Sequence, residues 1–184
     1  MIQRFISLLI LIVLQPIFLI ISIIIIIDSG FPIIYTQKNY GKNHNSFYLY
    51  KFRTMKKNTP EIPTEKFNEA EKYLLRSGNF LRKYSLDELP QLINVIKGNM
   101  KLIGPRPCMV NNEEIIKNLR EKYGVEKLTP GITGWAQVNG RDLNSFEKKV
   151  ELDHYYMLNK SFLLDIQIIL MTIKVVLLPK EVKH

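Results

Sequence analysis

The densest apolar run comes first. From Phe5 to Ile27 only Ser7, Gln15, Pro16 and Ser22 interrupt it. As one helix its 23 residues would extend about 34 Å, enough to cross a bilayer core of about 30 Å. It is too long for the core of a signal peptide, and Asp28-Ser29-Gly30-Phe31-Pro32 is no small-residue cleavage site. Gln15-Pro16 sits at its middle. Proline removes a backbone hydrogen bond and bends or breaks a helix, although membrane helices tolerate it. Two topologies therefore fit: a kinked span, or a re-entrant hairpin whose two arms each reach halfway through the hydrocarbon. Residues 1–30 are assigned to a membrane anchor and residues 31–184 to the body.

After the anchor the pattern changes period. Ile33 to Gln37 and Ser46 to Phe52 are rich in β-branched and aromatic residues, and the polar stretch Gly41 to Asn45 separates them. They predict a hairpin. Asn58 to Thr64 carries Pro60 and Pro63 and predicts a loop, then Glu65 to Leu75 a surface helix broken by Ser77-Gly78. Leu86, Leu89, Leu92, Ile93 and Ile96 recur at helical spacing up to Gly98. Asp87, Gln91 and Asn94 share a face away from that stripe. Further helices are predicted over Asn111 to Tyr123, Leu143 to Leu158 and Phe162 to Leu178. The last is short for a span and carries Asp165, Gln167, Thr172 and Lys174, so it reads as a core or interfacial helix. The fold class expected is α+β, mostly helical, with one small β-hairpin.

Charge narrows the partners. A net charge of +9 over 184 residues favours an anionic one: nucleic acid, anionic lipid or a phosphorylated substrate. A lone cysteine, Cys108, excludes a disulfide framework and a thiolate cluster, and three scattered histidines lack zinc-ligand spacing.

Within this basic chain Ser85-Leu86-Asp87-Glu88-Leu89-Pro90-Gln91 places two adjacent carboxylates at a helix start. Ser85 with Glu88 forms a capping-box pattern, so the pair has a purely structural reading as well as a catalytic one. Around it lie cations. Lys51-Phe52-Arg53-Thr54-Met55-Lys56-Lys57 is a basic run that equally suits a lipid surface. Arg82 lies five residues before Asp87, and Arg106 sits in Gly104-Pro105-Arg106-Pro107, where two prolines stiffen the backbone for bidentate phosphate binding or for a plain surface turn. Pro130 to Arg141 gathers Gly131, Gly134, Gly140, Trp135, Asn139 and Arg141. Glycines permit close approach to a ligand, and Trp135 suits stacking on a base or a membrane interface. Neither a GxGxxG nor a Walker loop is present.

Four of these stretches occur in order: Lys51 to Met55, Ser85 to Gln91, Gly104 to Pro107, and Pro130 to Arg141. Together they closely resemble the bacterial sugar transferase family, the small monotopic phosphoglycosyl transferases, in its minimal form. The resemblance implies transfer of a sugar-1-phosphate from a UDP-sugar to a polyprenyl phosphate such as undecaprenyl phosphate, with release of UMP. It implies a covalent intermediate on Asp87, partnered by Glu88, with Mg²⁺ at Asp87. Lys51, Arg53, Arg82, Arg106 and Arg141 become candidate phosphate ligands, and Trp135 and Asn139 candidate uridine contacts. It favours the re-entrant hairpin, hinged at Gln15-Pro16, with a compact body and interfacial helices on the cytoplasmic face of a bacterial inner membrane, next to membrane lipids and downstream glycosyltransferases. Three positions depart from the family pattern: Gln15 stands where relatives commonly have Ser, Gln3 stands near the place of a basic pair and an Asp, and Asn99-Met100-Lys101 replaces Asp-Met-Ser.

One rival belongs to another class: a non-catalytic, membrane-bound polybasic module for lipid or partner binding. Nucleic-acid binding is disfavoured, because no RRM, KH or helix-turn-helix pattern accompanies the charge.

Overall fold

The computed structural model describes residues 1–59, 70–110, 114–140 and 145–178. The predicted Pro60–Pro63 loop, the start of the 65–75 helix and the first residues of the 111–123 and 143–158 helices lie outside the described residues.

The apolar N-terminus forms two helices, α1 (Ile2–Val13) and α2 (Gln15–Ser29), bent by 62° across Leu14. Pro16 stands in the first turn of α2, where its missing N–H breaks no hydrogen bond. The break therefore falls one residue ahead of the expected Gln15-Pro16 hinge. No single described helix is long and apolar enough to cross a membrane, while the bent pair together has the length and composition to do so. Most of its side chains face outward, among them Phe5, Leu9, Val13, Leu19, Ile23 and Ile27. The inward side is narrow. Ile21 and Ile25, one turn apart on α2, are buried with Phe52, Leu75 and Leu81 of the body.

Two polar clamps fasten the end of α2. Buried Arg53 donates through Nη2 to the carbonyls of Ser29 (3.0 Å) and Gly30 (2.6 Å), a cation capping a helix C-terminus. Asp28 accepts from the backbone and hydroxyl of Ser77, both at 2.9 Å.

The predicted hairpin is present as β1 (Ile34–Tyr40) and β2 (Ser46–Phe52), paired antiparallel from Ile34–Phe52 to Tyr40–Ser46. Two further short strands are β3 (Lys101–Ile103) and β4 (Cys108–Met109). Strand β4 adds to the other edge of β1, while β3 forms a separate parallel pair with β5 (Gly131–Thr133). Around these lie α3 (Ala70–Tyr73), α4 (Gly78–Lys83), α5 (Gln91–Lys97), α6 (Glu114–Tyr123), α7 (Trp135–Val138), α8 (Phe146–Asn159) and α9 (Phe162–Leu177). Helix α5 packs across α1. Ser145 and Ser161 cap α8 and α9, accepting from the N–H of Lys148 and Leu164.

Helix α9 has two apolar faces. Leu164 and Ile168 are buried against Ile103 and Tyr156, whereas Phe162, Leu163, Leu170, Ile173 and Leu177 are exposed. Single exposed apolar residues are ordinary, but whole apolar helix faces on α1, α2 and α9 mark a surface made for an apolar partner.

Candidate active site

The carboxylate pair is built by a backbone reversal. Helix α4 ends at Lys83 with Tyr84 as its C-cap, and Ser85 adopts a left-handed conformation (φ 53°, ψ 23°) that few non-glycine residues occupy. The chain then enters a 3-10 turn over Leu86–Glu88, and α5 starts only at Gln91. The expected capping box is not made, for Ser85 forms no side-chain cap. The left-handed backbone of Ser85 replaces the extended conformation that a cap requires. The expected polar outer face is also reversed. Asp87, Glu88, Gln91 and Asn94 are all buried, and Asn94 is fully enclosed. Asn94 bridges α5 to β2, accepting from Tyr50 N–H at 3.0 Å and donating to the Tyr48 carbonyl at 2.7 Å.

Three cations converge on the pair from separate elements. Glu88 Oε1 accepts from Lys51 Nζ at 3.3 Å and from Arg106 Nη1 at 3.1 Å. Arg82, on α4, is aimed by the stretch that follows β2. Its Nε donates to Thr54 Oγ1 at 3.1 Å, and its Nη2 lies 3.4 Å from Met55 Sδ. Burial pushes the Asp87 carboxyl up from its ordinary 3.8 to about 6, and adjacent Glu88 adds to the rise. Lys51, Arg82 and Arg106 oppose it. Two carboxylates and three cations leave this cluster one positive charge in excess, a field suited to an incoming diphosphate.

Backbone contacts set the turn that carries Arg106. Gly104 N–H donates to Thr133 C=O at 2.8 Å, and Gly131 N–H to Pro105 C=O at 2.9 Å, so the Gly-Pro-Arg-Pro turn and the Gly-rich segment lie flat on one another. A Cβ on Gly131 or Gly134 would collide with the backbone of Gly104. Gly131 and Gly134 permit this close approach of the two backbone segments.

Behind Arg106 stands a pair that is absent from the sequence-based candidates. Arg120, on α6, donates through Nη2 to the Arg106 carbonyl at 2.7 Å and lies 3.4 Å from Asp153 Oδ2 on α8. Burial raises the Asp153 carboxyl to about 6, and Arg120 opposes the rise. One sequence signal points to it: Val150, Asp153 and Tyr156 share the buried face of α8, where an acid is out of place without a partner.

The other candidates lie elsewhere. Arg53 is held on the α2 carbonyls, not on the carboxylates. Trp135 stacks on Tyr155 with ring centroids 5.8 Å apart and packs against the core around Tyr156 and Leu164. Asn139 donates to the Trp135 carbonyl at 2.9 Å. Arg141 lies outside the described residues. The structure thus brings Lys51, Arg82, Asp87, Glu88 and Arg106 together, and leaves Arg53, Trp135 and Asn139 in packing or capping roles.

A family model described as bacterial sugar transferase matches residues 1–179. The chain belongs to the bacterial sugar transferase family. Among relatives, it is 40% identical over 156 residues to the Bacillus subtilis protein named as the sugar transferase EpsL, covering 84% of this chain and 75% of that one. It is 38% identical over 171 residues to the Escherichia coli UDP-glucose:undecaprenyl-phosphate glucose-1-phosphate transferase, covering 90% and 37%. An Aeromonas hydrophila UDP-N-acetylgalactosamine-undecaprenyl-phosphate N-acetylgalactosaminephosphotransferase is 35% identical over 167 residues, covering 89% and 40%. The chain spans three quarters of the Bacillus sugar transferase but well under half of the other two. These two relatives are named for different sugars.

Proposed function

We propose that this family member transfers a sugar-1-phosphate from a UDP-sugar to undecaprenyl phosphate, as a step in making a cell-surface polysaccharide. The observation that carries the reading is Asp87: a buried carboxylate faced by Lys51, Arg82 and Arg106, with Glu88 bracing two of those cations. An Asp87 oxygen attacks the phosphorus that bears the sugar. The bond from that phosphorus to the bridging diphosphate oxygen breaks, and UMP departs with that oxygen. A phosphate oxygen of the polyprenyl acceptor then attacks the same phosphorus, the bond to Asp87 breaks, and the free carboxylate returns. Carboxylates serve as covalent nucleophiles toward phosphoryl groups. In phosphoryl transfer the protein contributes chiefly by positioning and charge neutralisation, a part that falls to the three cations.

Mg²⁺ takes one or two protein carboxylates together with substrate phosphate oxygens, and the Asp87–Glu88 pair fits that donor set. Among the described residues no larger cluster of acid, histidine or cysteine side chains gathers. Bound there, the ion would neutralise diphosphate charge.

The exposed apolar faces of α1, α2 and α9 support membrane attachment, with α1 and α2 as a re-entrant hairpin and the body on the cytoplasmic side, where UDP-sugars are found.

The test is UMP release by the full chain with undecaprenyl phosphate and Mg²⁺ against a panel of UDP-sugars. One sugar is expected to support turnover, Asp87→Asn to abolish it, and chelation to stop it until Mg²⁺ is restored. Turnover by Asp87→Asn equal to that of the native chain would overturn the assignment.

A further inference from the structure

Pro105 and Pro107 have no N–H, so the centre of the Gly-Pro-Arg-Pro turn is held through its carbonyls. Pro105 C=O accepts from Gly131 N–H at 2.9 Å, and Arg106 C=O accepts from Arg120 Nη2 at 2.7 Å. The second contact bears on the carboxylate site, because Arg106 Nη1 donates to Glu88 Oε1 at 3.1 Å. The Arg106 side chain is 42% exposed, so packing does little to aim it, and its reach depends on where its backbone stands.

Arg120 is itself held from behind. Its Nη2 lies 3.4 Å from Asp153 Oδ2, and its Nη1 lies 3.4 Å from Cys108 Sγ. One guanidinium on α6 thus joins α8 to the residues on both sides of Pro107. A guanidinium can do this because it presents its donors in a rigid planar fork, whereas a lysine offers one point charge on a flexible stem. Both side chains are enclosed, Asp153 at 3% and Arg120 at 11% exposure, next to the apolar cluster of Cys108, Ile116, Val125 and Val150. A buried ion pair is a weak source of stability, because desolvation offsets much of its attraction. The value of this one lies in what it aims.

We propose that Arg120 and Asp153 are positioning residues for the transfer. Asp153 orients Arg120, and Arg120 fixes the Arg106 backbone so that the Arg106 guanidinium meets the diphosphate of the incoming UDP-sugar. The proposal rests on the reading of the Asp87 site as a phosphosugar transferase, and extends its machinery to two residues on α6 and α8 that act through Arg106. A misplacement of about 1 Å at such a group lowers a rate about 100-fold.

The test is a double-mutant cycle on UMP release by the full chain, with the melting temperature of each variant measured alongside. Arg120→Lys and Asp153→Asn are each expected to lower kcat/KM about 100-fold, and Arg106→Gln at least as much. Arg120→Lys/Arg106→Gln is expected to be no worse than Arg106→Gln alone, and Arg120→Lys to divide its loss between kcat and KM as Arg106→Gln does. Val150→Ala, on the same buried face of α8 as Asp153, is the control for packing: it is expected to lower the Tm and keep kcat and KM. Additive losses, about 10,000-fold in the double variant, would show that Arg120 acts apart from Arg106 and overturn the proposal. Native turnover by Arg120→Lys and Asp153→Asn would overturn it as well. If Val150→Ala loses as much turnover as they do, or if both of them fail to fold, the pair is structural and the proposal falls. UMP release by the native chain with no UDP-sugar at all would overturn the transferase reading and the positioning with it, an outcome distinct from native activity that the substitutions leave untouched.

Discussion

Asp87, the proposed nucleophile, is placed where ionisation costs energy. Burial raises its carboxyl to about 6, and three cations keep it from rising further. The attacking form is the carboxylate, so kcat/KM should fall about tenfold per pH unit below about 6. Replacing Glu88 with Gln removes the like charge and should move that limb to lower pH, while lowering kcat because Lys51 and Arg106 lose their shared anchor. A pH profile of the two proteins checks this; an unmoved limb would show that Glu88 does not act on Asp87. The same titration bears on stability. The folded state holds the Asp87 proton more tightly than the unfolded chain, so stability declines as pH rises from 3.8 to about 6. The interval corresponds to about 3 kcal/mol. Asp153 contributes in the same direction, so Asp87→Asn removes only part of the slope. At this scale the sequence displays the carboxylate pair and misleads about its setting. Ser85-Leu86-Asp87-Glu88 has the letters of a capping box, yet a left-handed Ser85, fixed by the turn out of α4, turns both carboxylates inward. Arg53 carries the same composition signal as Lys51, and only three-dimensional placement separates a helix cap from a site residue.

At the scale of elements, periodicity is enough wherever an element is long. The β1–β2 hairpin, α8, α9 and the broken apolar run are all legible, because alternation and 3.6-residue stripes need several residues to register. The short strands are not. β3, β4 and β5 have two or three residues each, and the β3–β5 pairing is set by the meeting of two distant glycine-containing turns. That meeting is what holds Arg106, so the least legible elements place one of the site cations. The α1–α2 bend is legible as a break and silent as to topology. If the pair is re-entrant, a tag ahead of Met1 and a cysteine at exposed Lys57 should both react from the cytoplasmic side of sealed membranes. Reaction from opposite sides would make the pair a kinked span.

Across the whole molecule the charge and the apolar surface divide the work. Part of the +9 charge surrounds two buried carboxylates, while α1, α2 and α9 expose apolar faces. A site that receives a water-soluble diphosphate and a lipid phosphate in turn suits such a layout, since one carboxylate can hold the transferred group between the two visits. The most direct test of that role is intact-mass measurement of the full chain incubated with Mg²⁺ and its UDP-sugar, without acceptor lipid. A mass increase of one phosphosugar is expected, located on Asp87, formed together with UMP and cleared when undecaprenyl phosphate is added. Release of UMP only when both substrates are present, with no adduct at any time, would contradict it and make the transfer direct.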